Sequence, residues 1–213
     1  AARKFMTENQ LPEDVVVIDL SQDFRHYANS NFAGRSFVYG LPELNRELIK
    51  SAKSIANPGC FATCIELALL PLAAAQQIKS EVHINAVTGS TGAGQALSNT
   101  THFSWRNNNA STYKVFEHQH LLEINESLKA LQPGLDSDIL FVPQRGNFTR
   151  GIMASVYLKT DLAEAELKDT YTKYYQSHPF VTIIDAEIDL KQVVNTNRCF
   201  IHLAKKGEHI LIT

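Results

Sequence analysis

The chain carries one cysteine in a setting that could make it a nucleophile. Cys60 follows the turn Asn57-Pro58-Gly59 and opens an apolar stretch in which Ile65, Leu67, Leu69, Leu70 and Leu72 favour a buried helix over residues 61–77. Proline presets φ and glycine admits a backbone that other residues refuse, so Asn57-Pro58-Gly59 is turn chemistry. A thiol at a helix N-terminus meets unsatisfied N–H groups and the positive end of the macrodipole. These favour a thiolate and predict a pKa below the free-thiol value of about 8.5. Most free cysteines are instead small buried hydrophobes; Cys64, one turn into the same helix, and Cys199, inside a predicted strand, fit that description. His118 and His120 are the second resource. Leu121, Ile124, Leu128 and Leu131 give helical spacing up to Pro133-Gly134, which puts both imidazoles at the mouth of a helix, where acid–base groups can reach another loop. Three readings stay open for the pair: a catalytic histidine, two surface histidines, or a zinc site with a third ligand. Zinc is the weakest, since no His-Glu-x-x-His occurs and Cys60-x-x-x-Cys64 has no second thiol pair at zinc-finger spacing.

Two further features could meet an anion. The loop Thr88-Gly89-Ser90-Thr91-Gly92-Ala93-Gly94 spaces its glycines G-x-x-G-x-G, unlike the G-x-G-x-x-G of a dinucleotide fold, and a poor helix follows it. It is read either as a nest of N–H groups for a phosphate or carboxylate, or as a plain flexible loop. Arg145 and Arg150 flank Gly146-Asn147-Phe148-Thr149, and a forked guanidinium suits a carboxylate or phosphate, although exposed arginines are common.

The elements that must hold these groups follow from periodicity. Residues 15–18 are a continuous apolar run of the kind that makes a buried parallel strand, and residues 19–25 form a polar loop at its carboxyl end, where open α/β sheets place ligand sites. A turn at 40–45 leads into a short helix at 46–51, and a strand at 54–56 feeds the Cys60 turn. Strands are predicted at 82–87, 111–116, 138–142, 151–159, 180–184, 199–205 and 208–213, the last two a hairpin over Lys206-Gly207. Residues 162–176 read as an amphipathic helix whose Tyr171, Tyr174 and Tyr175 pack in a core or interface. Residues 97–109 form a long loop, more often functional than decorative.

The 213 residues suffice for a large core, and 44% hydrophobic with 20% charged residues is ordinary for a globular protein. A net charge of −2 with no basic run gives no footprint for nucleic acid or a membrane surface and favours a small-molecule partner. Three cysteines and no signal-peptide pattern suggest a reducing, cytoplasmic setting. The apolar helix, interrupted by Glu66 and Pro71, is too short to span a bilayer. A strand reached by residue 15 is the pattern of a piece of a longer chain.

Four stretches, in order, carry a family resemblance: Val17-Ile18-Asp19-Leu20-Ser21 with Asp23-Phe24-Arg25; Tyr39-Gly40-Leu41-Pro42-Glu43-Leu44-Asn45-Arg46 leading to Ala56-Asn57-Pro58-Gly59-Cys60; Gly89-Ser90-Thr91-Gly92-Ala93-Gly94; and Tyr113-Lys114-Val115 with His118-Gln119-His120 and Glu123-Ile124. Thr149-Arg150-Gly151-Ile152 is a weaker fifth. The chain resembles the N-acetyl-γ-glutamyl-phosphate reductase (N-acetylglutamate semialdehyde dehydrogenase) family. That resemblance implies NADPH-dependent reduction of N-acetyl-γ-glutamyl phosphate to the semialdehyde plus phosphate, in arginine biosynthesis. Cys60 would be the nucleophile that forms a thioester, which hydride converts to a thiohemiacetal. His118 or His120 would be the acid/base. Asn57, Ser90, Gly92, Glu123 and Arg150 are expected at the substrate and Gly89, Gly92 and Gly94 at the cofactor, NADP, with no metal. The fold implied is α+β, the catalytic domain of the glyceraldehyde-3-phosphate dehydrogenase type: a mainly antiparallel sheet with helices on one face, in a homo-oligomer.

The same resemblance sets residues 1–56 as the end of a nucleotide-binding domain and connection, and 57–213 as the catalytic and dimerisation domain. The cofactor half and a closing C-terminal helix are expected to be missing, leaving this piece alone inactive with NADPH. Phe61-Ala62 stands where the family has Tyr-Pro, Gln119 where it has arginine, and Gln144-Arg145-Gly146-Asn147 where His and Pro are usual. An arginine lost beside the substrate suggests an altered anionic contact, such as an N-succinyl instead of an N-acetyl substrate. The alternatives are a cysteine hydrolase or acyltransferase with no redox step, or a non-catalytic dimerisation module.

Overall fold

The computed structural model describes residues 1–94 and 96–213. Its first part holds α1 (Ala2–Glu8), β1 (Val17–Asp19), the two-residue strands β2 (Asn31–Phe32), β3 (Arg35–Ser36) and β4 (Val38–Tyr39), then α2 (Pro42–Ser51) and β5 (Ser54–Ala56). There follow α3 (Cys60–Ala74), β6 (Val82–Thr88), the single turn α4 (Phe103–Arg106), β7 (Ser111–Thr112), α5 (His120–Leu131), β8 (Ile139–Arg145) and β9 (Ile152–Lys159). The chain closes with α6 (Glu164–Tyr175), β10 (Val181–Ile184), β11 (Cys199–Lys206) and β12 (His209–Ile212).

These make two main sheets. A small parallel one has the order β1-β5-β4 and its own core of Met6, Phe24, Phe37 and Ala56, with Phe24 and Phe37 stacked at 4.2 Å between ring centroids. The large one has seven strands in the order β10-β11-β12-β9-β6-β8-β7, antiparallel except for the β6/β8 and β10/β11 pairs. Helices α3 and α6 pack against it, and α5 packs against α3. The period of two along β9 turns Ala154, Val156 and Leu158 into this core and leaves Met153 and Tyr157 on the other face. The architecture is the α+β, mainly antiparallel arrangement expected from the sequence.

Helix α3 is apolar on nearly every side because the sheet, α5 and α6 surround it. Pro71 lies inside it and lacks the N–H that would bond the Leu67 carbonyl. Tyr175 of α6 fills that gap, its hydroxyl donating to Leu67 O at 2.5 Å, and Tyr171 donates to Ala68 O at 2.6 Å. The tyrosines read as packing residues thus also satisfy the backbone of the helix that begins at Cys60.

Three expectations need correction. The polar lead contains helix α1. The apolar run at 15–18 does pair in parallel, but only its last two residues enter β1, and Val15, Val16 and Ile18 are exposed because one face of the small sheet is open. The strand predicted at 111–116 stops after Thr112, since Lys114 (φ 46°) and Phe116 (φ 63°) take the left-handed backbone that ends a ladder. Among the described residues, no helix is long and apolar enough to cross a membrane.

Candidate active site

Cys60 is the first residue of α3 and is exposed, with Gly59 in the extended conformation as N-cap. Its surroundings explain why residue 59 is glycine. The ring of His120 lies where a Cβ at 59 would stand. The Gly59 N–H donates to Glu123 Oε2 at 2.8 Å, in the interior. Glu123 is buried, receives a hydrogen bond from the Tyr39 hydroxyl at 3.1 Å and faces Arg25 Nη1 at 3.3 Å and His120 Nε2 at 3.9 Å through Oε1. Arg25 is held in turn by the carbonyls of Asn57 and Leu20, to which Nε and Nη2 donate at 2.8 and 3.2 Å. The cysteine turn is therefore clamped from behind by α5, β4 and the loop after β1.

The electrostatics of the sulfur run against the sequence-based expectation. Burial pushes the Cys60 thiol up from its ordinary value; the N–H groups of Phe61 and Cys60 and the Arg25 charge pull it down, and Glu123 pushes it up again. Although the residue is exposed as a whole, the net direction is upward, so the helix N-terminus moderates the loss of water around the sulfur without overcoming it. Cys64 and Cys199 are pushed further, Cys199 to about 12, by burial.

The two histidines are buried, not surface residues. His118 Nδ1 accepts from the His120 N–H at 3.2 Å, a cap on the start of α5, and its ring meets the edges of Phe61, Tyr113, Phe141 and His120. His120 Nδ1 is buried with no protein partner. Both imidazoles are pushed down to about 4, first by burial and then by neighbouring positive charge: His120 and Lys114 for His118, Arg25, Lys114 and His26 for His120. Both are neutral at pH 7 and able to take a proton. Among the described residues, no group of three His, Cys, Asp or Glu side chains comes together as a metal site.

Cys60 opens onto a cavity of about 520 Å³ whose walls include Met153, Leu190, Val194 and two exposed arginines, Arg150 and Arg198. No carboxylate is paired with either guanidinium among the described residues. The glycine loop lies elsewhere: none of Gly89, Ser90, Gly92 and Gly94 lines this cavity. The N–H groups of Gly89, Ser90 and Thr91 donate to the carbonyls of Gly151, Phe148 and Thr149, and that of Gly94 to Thr91. Those four are spent within the protein and are not available to an anion. A Cβ at Gly89 would run into the backbone of Thr149 and Arg150, so this glycine packs the loop that carries Arg150 to the cavity. Asn57 serves Arg25, and Glu123 serves the turn from inside.

Four residues of this arrangement were given no role by the sequence: Arg25, Tyr39, Glu66 and Arg198. Only Glu66 left a signal of its own, a lone carboxylate in an otherwise apolar helix. The others reach the site from loops and strands 21 to 138 positions away from Cys60 in the numbering, which no local pattern reports.

Comparison with known proteins places the chain. Residues 60–213 match the family model described as semialdehyde dehydrogenase, dimerisation domain. The chain is 55% identical over 209 residues to a protein named N-acetyl-gamma-glutamyl-phosphate reductase from Flavobacterium johnsoniae, and 54% identical over 210 residues to one of the same name from Bacteroides thetaiotaomicron. These alignments cover 98% and 99% of the chain, which spans 64% of the length of each relative. Its fold is similar to that of aspartate semialdehyde dehydrogenase II from Vibrio cholerae, with a TM-score of 0.66 at 15% identity over 93% of this chain and 66% of the other. A second aspartate semialdehyde dehydrogenase, from Francisella tularensis, gives 0.64 at 13% identity over 92% and 68%.

Proposed function

We propose, from the premise that this chain belongs to the semialdehyde dehydrogenase family through its dimerisation domain, that it carries the thiol half of an N-acetyl-γ-glutamyl-phosphate reductase of arginine biosynthesis. The names of the relatives support the substrate. The observation that carries the chemistry is an exposed cysteine at a helix N-terminus, opening onto a cavity with two unpaired arginines and backed by a buried histidine and glutamate. The Cys60 sulfur attacks the acyl carbon; the C–S bond forms, the C–O bond to phosphate breaks, and phosphate leaves with the electron pair. The thiol proton passes to a neutral imidazole. We assign that role to His120, whose Nδ1 is unpartnered and whose ring lies on Gly59, and give His118 the capping of α5. Arg150 and Arg198 bind the substrate's carboxylate and phosphate.

A nicotinamide nucleotide, NADP in this reading, supplies the hydride that reduces the thioester. The described residues do not fit its phosphates: four N–H groups of the glycine loop, those of Gly89, Ser90, Thr91 and Gly94, are bonded within the protein, and no other glycine-rich turn opens a helix. No hydride step is therefore assigned to these residues. In the same reading residues 1–56 belong with a nucleotide-binding part and 57–213 form the catalytic part. The outward face of the large sheet, where His83 stacks on Tyr157 at 5.3 Å, pairs with a second copy.

The test is acyl transfer without reduction. Incubation with N-acetyl-γ-glutamyl phosphate is expected to release phosphate and add the acyl mass to the peptide containing Cys60, with neither event in C60A. Phosphate release that continues catalytically with no nicotinamide present would support a hydrolase instead, and no adduct at all would remove the thioester reading.

A further inference from the structure

Glu66 is fully buried inside α3, and none of the steps above uses it. The Tyr39 hydroxyl, reaching in from β4, lies 3.1 and 3.0 Å from the two Glu66 oxygens and 3.1 Å from Glu123 Oε2. A phenol has one proton. It can donate to one of these carboxylates, and the other, if ionised, would press its lone pairs on the phenol oxygen where water cannot intervene. The two acids are not equivalent. Glu123 has its charge met by Arg25 and by the Gly59 N–H. Glu66 has the Tyr39 hydroxyl as its hydrogen-bond partner, Ser127 on α5 also favours its charged form, and it faces Tyr27 from the loop after β1 and the charge of Glu123. Burial raises its carboxyl to about 7, more than Ser127 and Tyr39 lower it.

We propose that Glu66 is a neutral carboxylic acid in the native protein, donating its proton to the Tyr39 oxygen so that the Tyr39 proton is committed to Glu123, and that this chain of hydrogen bonds holds the Gly59 and Cys60 turn and His120 from the core. Glu66 is a positioning residue: it touches no substrate and acts through Tyr39 and Glu123. When it ionises, the phenol proton turns to Glu66 and Glu123 loses a donor, loosening the turn. The inference deepens the thiol reading and rests on it only for its kinetic readout.

The first measurement is infrared spectroscopy of the chain between about pH 5 and 9, in the region of the protonated carboxyl carbonyl. A band that disappears as pH rises through neutrality, is absent in Glu66→Gln and shifts in Tyr39→Phe is expected. No such band, or one that survives in Glu66→Gln, overturns the proposal by placing the proton elsewhere or nowhere. The second is the pH profile of Cys60 alkylation, read by mass spectrometry. Wild type should bend near neutrality; Glu66→Gln, whose amide donates to Tyr39 as the acid does and cannot ionise, should lose the bend, while Glu66→Leu should be slower by roughly tenfold, the scale of one lost hydrogen bond to a charged group. A bend that persists in Glu66→Gln rejects the hold on the turn, even if Glu66→Leu fails to fold. A Cys60 inert in wild type defeats the thiol reading and leaves the infrared result to decide where the proton is.

Discussion

The sulfur of Cys60 is pulled in two directions by burial, backbone N–H groups and the charges of Arg25 and Glu123, and the balance can be moved one residue at a time. Removing the Arg25 charge takes away a stabiliser of the thiolate and the counter-ion of Glu123 together. Arg25→Met should therefore raise the thiol pKa and slow alkylation at pH 7 about tenfold, as a pH titration of the alkylation rate would show; an unchanged profile would mean that Arg25 serves only the loop. The histidines separate in the same assay. His120→Gln should lower acyl transfer by roughly a hundredfold or more, as the loss of a general base does, whereas His118→Gln should act mainly through the stability of α5. The residues legible in the sequence were those set in a local pattern: Cys60 behind its turn and the histidine pair at a helix start. Arg25 and Tyr39 were visible only as letters of a motif, because their roles consist of contacts that exist once the chain is folded.

At the level of elements, helix α3 decides where the sulfur stands, and two of its supports lie outside it. Tyr175→Phe leaves the Leu67 carbonyl, already deprived of a donor by Pro71, without a partner in the core. The expected cost is about 1–3 kcal/mol, measurable by urea unfolding, and a smaller loss would mean that water or Tyr171 takes over. Gly59→Ala puts a methyl into the ring of His120, and overpacking of this kind costs about 1–3 kcal/mol; Cys60 reactivity should fall with it, since ring and turn must part. Periodicity was sufficient to find the long strands and helices, because burial on one face writes itself into the spacing of apolar residues. It failed at 111–116, where left-handed residues end the ladder without a glycine to announce them, and at the glycine loop, where small residues serve close packing against Thr149 and Arg150.

For the whole molecule, buried titratable groups make stability depend on pH with opposite signs. His118 and His120 are held at about 4, below the ordinary 6.5, so the unfolded chain takes up protons first. Their contribution is complete above about pH 6.5 and is lost as pH falls toward 4. Glu66 is raised from 4.5 to about 7. The folded protein keeps a proton that the unfolded chain releases, so its contribution is present below about pH 4.5 and is lost as pH rises through 7. The slopes oppose each other between about 4.5 and 6.5. Two histidines add a rise each and Glu66 a single fall, so urea unfolding followed against pH should rise only modestly there: Glu66→Gln should steepen the rise and His118→Gln should flatten it, while a Glu66→Gln profile identical to wild type would contradict the assignment. A different consequence lies in residues 185–198, which join the parallel strands β10 and β11 and supply the cavity wall with Leu190, Val194 and Arg198. Their hydrogen bonds are largely local, from the Asp189 cap on Lys191 to the turns closing on Leu190 and Val193, and Leu190 rests on Gly151, where a side chain would meet it. If the cavity takes the acyl group, as in the proposed function, this wall is an exchangeable cassette: grafting the crossover alone should change which acyl phosphate reacts with Cys60 while the turn and its clamp stay intact.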